Sequence, residues 1–106
     1  MINNVVLTGR LTRDPELKKA NDMSVCSFIL AVDRNYKNTD GEREADFIPI
    51  VAWHRLAEIC ADNLAKGSLI AVTGRIRTTN WEDEAGNKRR SIEVVVKEVI
   101  FLEKKR

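Results

Sequence analysis

The sequence predicts a mainly β fold, a five-stranded Greek-key barrel with one helix between strands 3 and 4. Three observations predict it. Apolar and polar residues alternate along most of the chain, turn-forming residues separate the alternating segments, and only one segment has the apolar spacing of a helix. At 106 residues the chain has the length of one domain, residues 1–106, large enough to fold without disulfides or metals.

The first two strands are predicted over residues 5–11 and 24–33. The first is a run of β-branched and aliphatic residues that the pair Asp14-Pro15 closes, because the residue before a proline favours an extended or turn conformation. In the second, the even positions are all apolar and are expected to face the core: Cys26, Phe28, Leu30 and Val32.

A hairpin that contains Tyr36 and turns at Asp40-Gly41 leads into the third strand, residues 45–53. Pro49 cannot donate a ladder hydrogen bond, so this strand is predicted to be an edge or bulged strand. Its alternation puts three residues on the same side as the proline: Phe47, Val51 and Trp53.

The helix is predicted over residues 54–66, where apolar residues recur at helical spacing and Gly67 follows as a C-terminal cap. The fourth strand, 68–78, is expected to turn Ile70, Val72 and Ile76 inward and Thr73, Arg75 and Arg77 outward. A turn at 85–87 and a fifth strand at 91–102 complete the order. Three strands, a helix and two strands in about a hundred residues fit the OB-fold better than a sandwich.

Four aromatic residues lie among charged and turn-forming residues instead of within apolar runs: Tyr36, Phe47, Trp53 and Trp81. Rings in such places remain available for stacking on another flat ring, and nucleobases are common partners of that kind. The net charge is only +2, with 18 Lys and Arg against 16 acids. A phosphate-binding surface must therefore come from local segregation of charge, as at Arg75, Arg77 and the block Lys88-Arg89-Arg90.

Composition and spacing disfavour other classes of protein. No apolar run approaches a membrane span, and the first ten residues lack a basic leader, so a cytoplasmic protein without a membrane role is expected. Cys26 and Cys60 lie in apolar segments without CxxC spacing and are expected to be buried, reduced thiols. His54 has no suitably spaced partner ligands, so neither a metal nor another cofactor is expected.

Two other functions remain open from the residues alone. Asp14, Asp33 and Asp46 lie near strand ends, where carboxylates could hold a divalent cation for phosphodiester hydrolysis, although their spacing does not require it. A protein-assembly module of the primosome type on the same fold is the other alternative.

Four segments carry a family resemblance, in order and over nearly the whole chain: MINNVVLTGRLTRDPEL (1–17), GEREADFI (41–48), KGSLI (66–70) and GRIRT (74–78). Together they closely resemble the bacterial single-stranded DNA-binding proteins. The resemblance implies an OB-fold subunit, usually a homotetramer, that binds single-stranded DNA in replication, recombination and repair and is not an enzyme.

Carried over position by position, the resemblance assigns base stacking to Tyr36, Phe47, Trp53 and Trp81. It assigns phosphate contacts to Arg55, Lys66, Arg75 and Arg77, with Lys37 and Lys88 in the hairpins as weaker candidates. Many members of that family continue into a long Gly, Pro and Gln-rich tail that recruits partner enzymes, whereas this sequence ends at FLEKKR. Recruitment of replication and repair proteins through such a tail is therefore not expected, and either a binding core or a naturally short member would end in this way.

Overall fold

The computed structural model describes residues 1–103, which form one six-stranded sheet and one helix. Residues 104–106, on which the expectation about a tail partly rests, lie outside the described residues. No helix in this part of the chain is long and apolar enough to cross a membrane. The elements are β1 (Val5–Leu11), β2 (Glu16–Ala20), β3 (Met23–Lys37), β4 (Arg43–Trp53), α1 (His54–Asn63), β5 (Leu69–Glu82) and β6 (Lys88–Phe101).

The sheet closes on itself as a barrel. Its strand order is β1-β5-β6-β4-β3-β2, and β1 also pairs with β3 through Arg10↔Ala31 and Leu11↔Leu30. All pairs are antiparallel except β4 with β6, which pair in parallel at Ile50↔Val94 and Val51↔Val95. The prediction of a mainly β OB-fold with its helix after the strand that ends at Trp53 is confirmed.

The strand count differs from the prediction by the addition of β2. All five of its residues are exposed, so it lacks the apolar alternation by which the other strands were recognised. It reaches β3 through a two-residue turn in which Asn21 and Asp22 have φ of 50° and 65°. These are residue types that tolerate the left-handed region, and the turn was the only sequence signal for this strand.

The helix is shorter than predicted and ends at Asn63 instead of residue 66. The side-chain amide of Asn63 donates to the carbonyl of Ile59 at 2.8 Å, and Leu64 is already extended with φ −107° and ψ 151°. Gly67, with φ +88°, therefore belongs to the following turn, where its N–H donates to the carbonyl of Leu11 at 2.8 Å.

The core lies between the inner face of the sheet and α1. The predicted inward residues of β3 are confirmed, and Phe28 is only 5% exposed. Cys26 and Cys60 are free thiols without solvent exposure. Burial raises the pKa of both, that of Cys60 to about 12, so each remains a protonated apolar side chain at neutral pH.

Ile76 does not belong to the core, contrary to the prediction. Its side chain is 44% exposed, because β5 continues to Glu82 and forms with β6 a hairpin longer than predicted that extends past the core. A β-bulge precedes this part of the hairpin, where Thr73 pairs with Glu98 but Gly74 pairs with Val96, and both residues of the second pair are still buried.

Two glycines allow neighbouring backbones to approach closely. A Cβ at Gly9 would lie 2.3 Å from the carbonyl oxygen of Ala31, where β1 meets β3 to close the barrel. A Cβ at Gly74 would lie 2.1 Å from the carbonyl oxygen of Val95, beside the bulge. Because backbone atoms cannot move aside cheaply, both positions require the absence of a side chain.

Gly9→Ala is expected to lower the free energy of unfolding by about 1 to 3 kcal/mol, the usual cost of forcing an extra methyl group into a packed site. The measurement is equilibrium unfolding in urea. Thr8→Ala, at an exposed position of the same strand, is the control and is expected to change stability little. Equal stabilities for the two variants would mean that the contact between β1 and β3 is not tight.

Candidate nucleic-acid interface

The outward face of β4 carries two of the four predicted rings. Phe47 is 65% exposed and lies opposite Ala31 of β3, whereas Trp53 is half-buried. Pro49 lies exposed between them, and β6 pairs with β4 only from Ile50 onward, so the predicted edge character holds for the first part of the strand. The β4 face is thus open around Phe47 and partly covered around Trp53.

Trp53 is covered by a guanidinium from another strand. The Cζ atom of Arg77 lies 5.6 Å from the centre of the Trp53 ring, a distance at which a cation is attracted to the ring face. Nε of Arg77 donates to Oε1 of Glu93 at 2.9 Å, and a second guanidinium nitrogen contacts the same oxygen. The three side chains link β4, β5 and β6, and the ion pair holds the guanidinium where it faces the ring.

Arg75 extends the basic side of this surface. It is exposed on the same face of β5 as Arg77, and it lies opposite Val95 of β6. The prediction that Arg75 and Arg77 share an outward face is confirmed. Arg75 is exposed to solvent, whereas Arg77 shares its charge with Glu93.

The β5–β6 hairpin presents Trp81, which is 52% exposed and lies opposite Arg89. A carboxylate stabilises the turn beyond it. Oδ1 of Asp83 accepts from the N–H groups of Asn87 at 2.9 Å and Ala85 at 3.0 Å, and Oδ2 accepts from Nε of Arg89 at 3.0 Å. The hydrogen bond from Asn87, together with that from Arg89, lowers the pKa of Asp83, so this group is ionised at neutral pH.

Arg89 and Arg90 are functional candidates that sequence reasoning did not select individually. With Lys88 they line a shallow concavity of ≈ 720 Å³ beside Trp81, whose other lining residues are Asn80 and Glu82. The block Lys88-Arg89-Arg90 was visible in the sequence. Only the strand register, which places Arg89 directly opposite Trp81, connects that block to the ring.

The β3–β4 hairpin presents Tyr36, which is 64% exposed, and Lys37 at the end of β3. A side chain also stabilises this turn, because Oδ1 of Asn38 accepts from the N–H groups of Asp40 at 3.0 Å and Glu42 at 2.9 Å. The hairpin at Asp40-Gly41 is therefore as predicted, and Gly41 has the positive φ of 78° that its turn requires.

Arg55 and Lys66 lie outside the strands that carry the rings. Arg55 is exposed in the first turn of α1, and Lys66 is in the loop between α1 and β5. The backbone N–H of Lys66 donates to Oδ1 of Asp14 at 2.8 Å. The structure thus brings Trp53 together with Arg77 and Trp81 together with the basic block. Arg55 follows Trp53 by two residues, at the start of α1.

A second cleft, of ≈ 230 Å³, lies beside Pro49. Ile29 of β3 also lines it, and its charged groups come from Arg13, Asp14, Glu16 and Glu93. Arg13 comes from the connection between β1 and β2. Since β2 was not predicted, the sequence contained no indication that Arg13 lies near β4.

Two of the three carboxylates considered for a metal site have other partners. Within residues 1–103, no group of three or more His, Cys, Asp or Glu side chains is arranged to hold a metal ion. Asp14 accepts the hydrogen bond from Lys66, and Asp46 forms an ion pair with Arg34.

Comparison with known proteins gives a consistent set of similarities. The model of the family described as "Single-strand binding protein family" matches residues 2–102. The chain is 56% identical over 106 residues to the "Single-stranded DNA-binding protein" of Caldanaerobacter subterraneus subsp. tengcongensis, covering 99% of this chain and 71% of that protein.

Two further relatives have similar identities. The "Single-stranded DNA-binding protein A" of Bacillus subtilis is 51% identical over 106 residues, or 99% of this chain and 62% of the relative. The "Single-stranded DNA-binding protein" of Streptococcus mutans is 51% identical over 104 residues, or 97% of this chain and 63% of the relative. The chain therefore spans somewhat under two thirds of the length of these two proteins.

Proposed function

We propose that this chain, which belongs to the single-strand binding protein family, binds single-stranded DNA largely without sequence specificity and protects it in replication, recombination and repair. The observation that supports this best is the set of three exposed rings and one half-buried ring on strands whose outward faces also carry guanidinium groups. Exposed aromatic rings next to cations suit a ligand that combines flat bases with phosphates.

The proposed stacking residues are Tyr36, Phe47, Trp53 and Trp81. Unpaired bases offer free faces to these rings, and each stacked base contributes about 1 to 3 kcal/mol of binding free energy. Every base has such a face, so binding of this kind tolerates most sequences. A duplex is expected to bind far more weakly, because its bases are already stacked on one another.

The proposed phosphate-binding residues are Arg55, Lys66, Arg75 and Arg77, with contributions from Lys37 and Lys88. Phosphate contacts position a strand without reading its sequence. Arg75 is the cation of this set with the most direct support, because it is exposed on the same face of β5 as Arg77, which covers Trp53. Arg77 faces the Trp53 ring and is paired with Glu93, so less of its charge is available to a phosphate.

The whole protein is proposed to act as a homo-oligomer, most simply a tetramer, in the cytoplasm at the nucleoid. Apolar side chains exposed on the outer surface of the barrel support association, because Val6 of β1 and Ile100 of β6 lie near Thr8 and Ala71. Apolar side chains grouped in this way are typical of contact surfaces between proteins. The solution mass of the protein, measured by light scattering, would give the number of copies in the oligomer.

Fluorescence titration with oligo-dT tests the proposed function. Stacking on Trp53 and Trp81 is expected to quench the emission, and the affinity is expected to fall steeply with salt. If about four phosphates are neutralised, the slope of log K against log salt is about −3 for a single strand. A flat salt response would contradict the phosphate-binding part of the proposal.

The same titration distinguishes the alternatives. Absence of quenching at low salt would favour a protein-assembly module over a DNA-binding protein. Cleavage of the oligonucleotide in the presence of Mg²⁺, above that in EDTA, would show a nuclease. Binding without cleavage is the proposed outcome, because the proposed residues supply stacking and positive charge.

A further inference from the structure

The hairpin that carries Tyr36 is irregular at the position of this ring. Backbone pairing between β3 and β4 runs regularly to Asp33↔Ala45 and resumes only at Lys37↔Arg43. Residues 34–36 of β3 therefore lie opposite a single residue of β4, Glu44, and regular ladder bonds are interrupted there. The ladder by itself does not determine how the outer part of the hairpin is oriented relative to the barrel.

Side chains connect the two parts of the hairpin across this irregularity. Nε and Nη2 of Arg34 donate to Oδ1 of Asp46 at 3.2 and 2.8 Å, on the barrel side. Nη1 donates to Oε2 of Glu44 at 2.8 Å, opposite the bulge. Oε1 of Glu44 is in turn 3.5 Å from the amide nitrogen of Asn38, whose oxygen stabilises the turn at the hairpin tip. One guanidinium thus connects the barrel to the outer hairpin.

Tyr36 lies two residues beyond Arg34, on the outer side of the position that the guanidinium anchors. The hydrogen bonds and ion pair with Asp46 raise the pKa of Arg34 above its ordinary value, and Arg34 lowers the pKa of Asp46. The ion pairs therefore persist throughout the neutral range. Charged hydrogen bonds between a planar guanidinium and carboxylates have defined geometry, so they can fix the orientation of a segment.

Arg34 is poorly suited to bind a phosphate itself. Its guanidinium already pairs with two carboxylates, so the local group of three side chains has a net negative charge. An approaching phosphate would meet Asp46 and Glu44 as well as the guanidinium. A role in holding the hairpin agrees better with these contacts than a role as a direct ligand.

We propose that Arg34 is a positioning residue, which bridges Asp46 and Glu44 across the bulge and thereby holds Tyr36 where it can stack on a base. This inference rests on the proposed function, because it concerns how one of the proposed stacking rings is presented. It assigns no direct DNA contact to Arg34.

Asp46→Ala tests the inference, because electrostatics and positioning predict opposite changes in the affinity for DNA. Removing a carboxylate makes the surface more positive and by charge alone would strengthen DNA binding. If Asp46 anchors Arg34, the variant instead binds oligo-dT roughly threefold to tenfold more weakly, a fraction of what one stacked base contributes. Arg34→Gln removes the guanidinium that forms the same bridge, and it is expected to weaken binding of oligo-dT by a similar factor.

A Tyr36→Ala background supplies the decisive comparison. There the ring is absent, so Asp46→Ala and Arg34→Gln are expected to have no further weakening effect, and Arg34→Gln is expected to leave the salt slope unchanged. Glu42→Ala is the matched control, because it removes one exposed carboxylate from the same hairpin without touching the bridge. It is expected to leave the affinity unchanged or slightly higher.

Each other outcome overturns the inference. Stronger or unchanged binding by Asp46→Ala would show that the bridge does not present Tyr36. An equal loss with and without Tyr36, accompanied by a salt slope reduced by about one, would make Arg34 a phosphate ligand instead. Thermal melting of each variant checks that the barrel is folded. Failure of the unaltered chain to bind oligo-dT would count against the proposed function and not against the bridge alone.

Discussion

Replacing Trp53 with alanine is expected to weaken binding of oligo-dT by about 5-fold to 150-fold, which corresponds to the ~1 to 3 kcal/mol that one stacked base contributes. The reason is geometric as well as chemical. Arg77 faces the ring from 5.6 Å and holds it in one orientation before DNA arrives, so less conformational freedom is lost on binding. The measurement is fluorescence anisotropy of a labelled oligo-dT.

Two companion variants separate stacking from folding. Trp81→Ala removes a ring that is 52% exposed, so it is expected to weaken binding without changing the melting temperature appreciably. Trp53→Phe retains an aromatic face and is expected to recover most of the affinity that Trp53→Ala loses. The stacking interpretation would be abandoned if Trp53→Ala and Trp81→Ala both melted much earlier than the unaltered chain but bound oligo-dT equally well.

Replacing Phe28 with alanine is expected to lower the free energy of unfolding by about 3 to 5 kcal/mol, the usual cost of removing a buried phenylalanine ring. Phe28 is 5% exposed in the core, so the missing ring leaves a cavity that the barrel cannot fill. Since small domains are stable by only about 5 to 15 kcal/mol, this is a large fraction of the total. Urea unfolding followed by circular dichroism measures the loss.

Phe47→Ala is the matched control, because the chemical change is the same but this ring is 65% exposed. It is expected to change stability by less than about 0.5 kcal/mol and to weaken DNA binding instead. The two variants are thus expected to differ, because Phe28→Ala lowers stability whereas Phe47→Ala weakens DNA binding. Comparable losses of stability in both variants would mean that Phe47 is part of the core and would remove it from the proposed interface.

Much of the fold could be predicted because burial leaves a regular pattern in the sequence. The even positions of β3 are apolar and face the core, and the Asp40-Gly41 turn lies where its residues indicate. β2 was not predicted because none of its side chains is buried. Ile76 was wrongly predicted to be buried because apolar alternation continues along β5 to a residue that is exposed. A pattern of alternation shows which side chains share a face but not whether anything covers that face.

The candidate site was predictable in its rings and less so in its cations. The polar surroundings of Tyr36, Phe47 and Trp81 correctly indicated exposure, which is a local property of the chain. The contact between Arg77 and Trp53 depends on three strands meeting, and the bridge through Arg34 depends on the bulge in β3. Neither is visible as a spacing along the sequence, because both arise from residues that only the closed sheet brings together.

The wholly exposed strand β2 has a consequence for how copies of this chain avoid one another. It is an outer strand of the sheet, and three of its five residues are charged: Glu16, Lys18 and Lys19. An unpaired strand edge invites another strand to add to it, and charged side chains oppose that addition. The charged strand β2 therefore disfavours uncontrolled extension of the sheet from one copy of this chain to another.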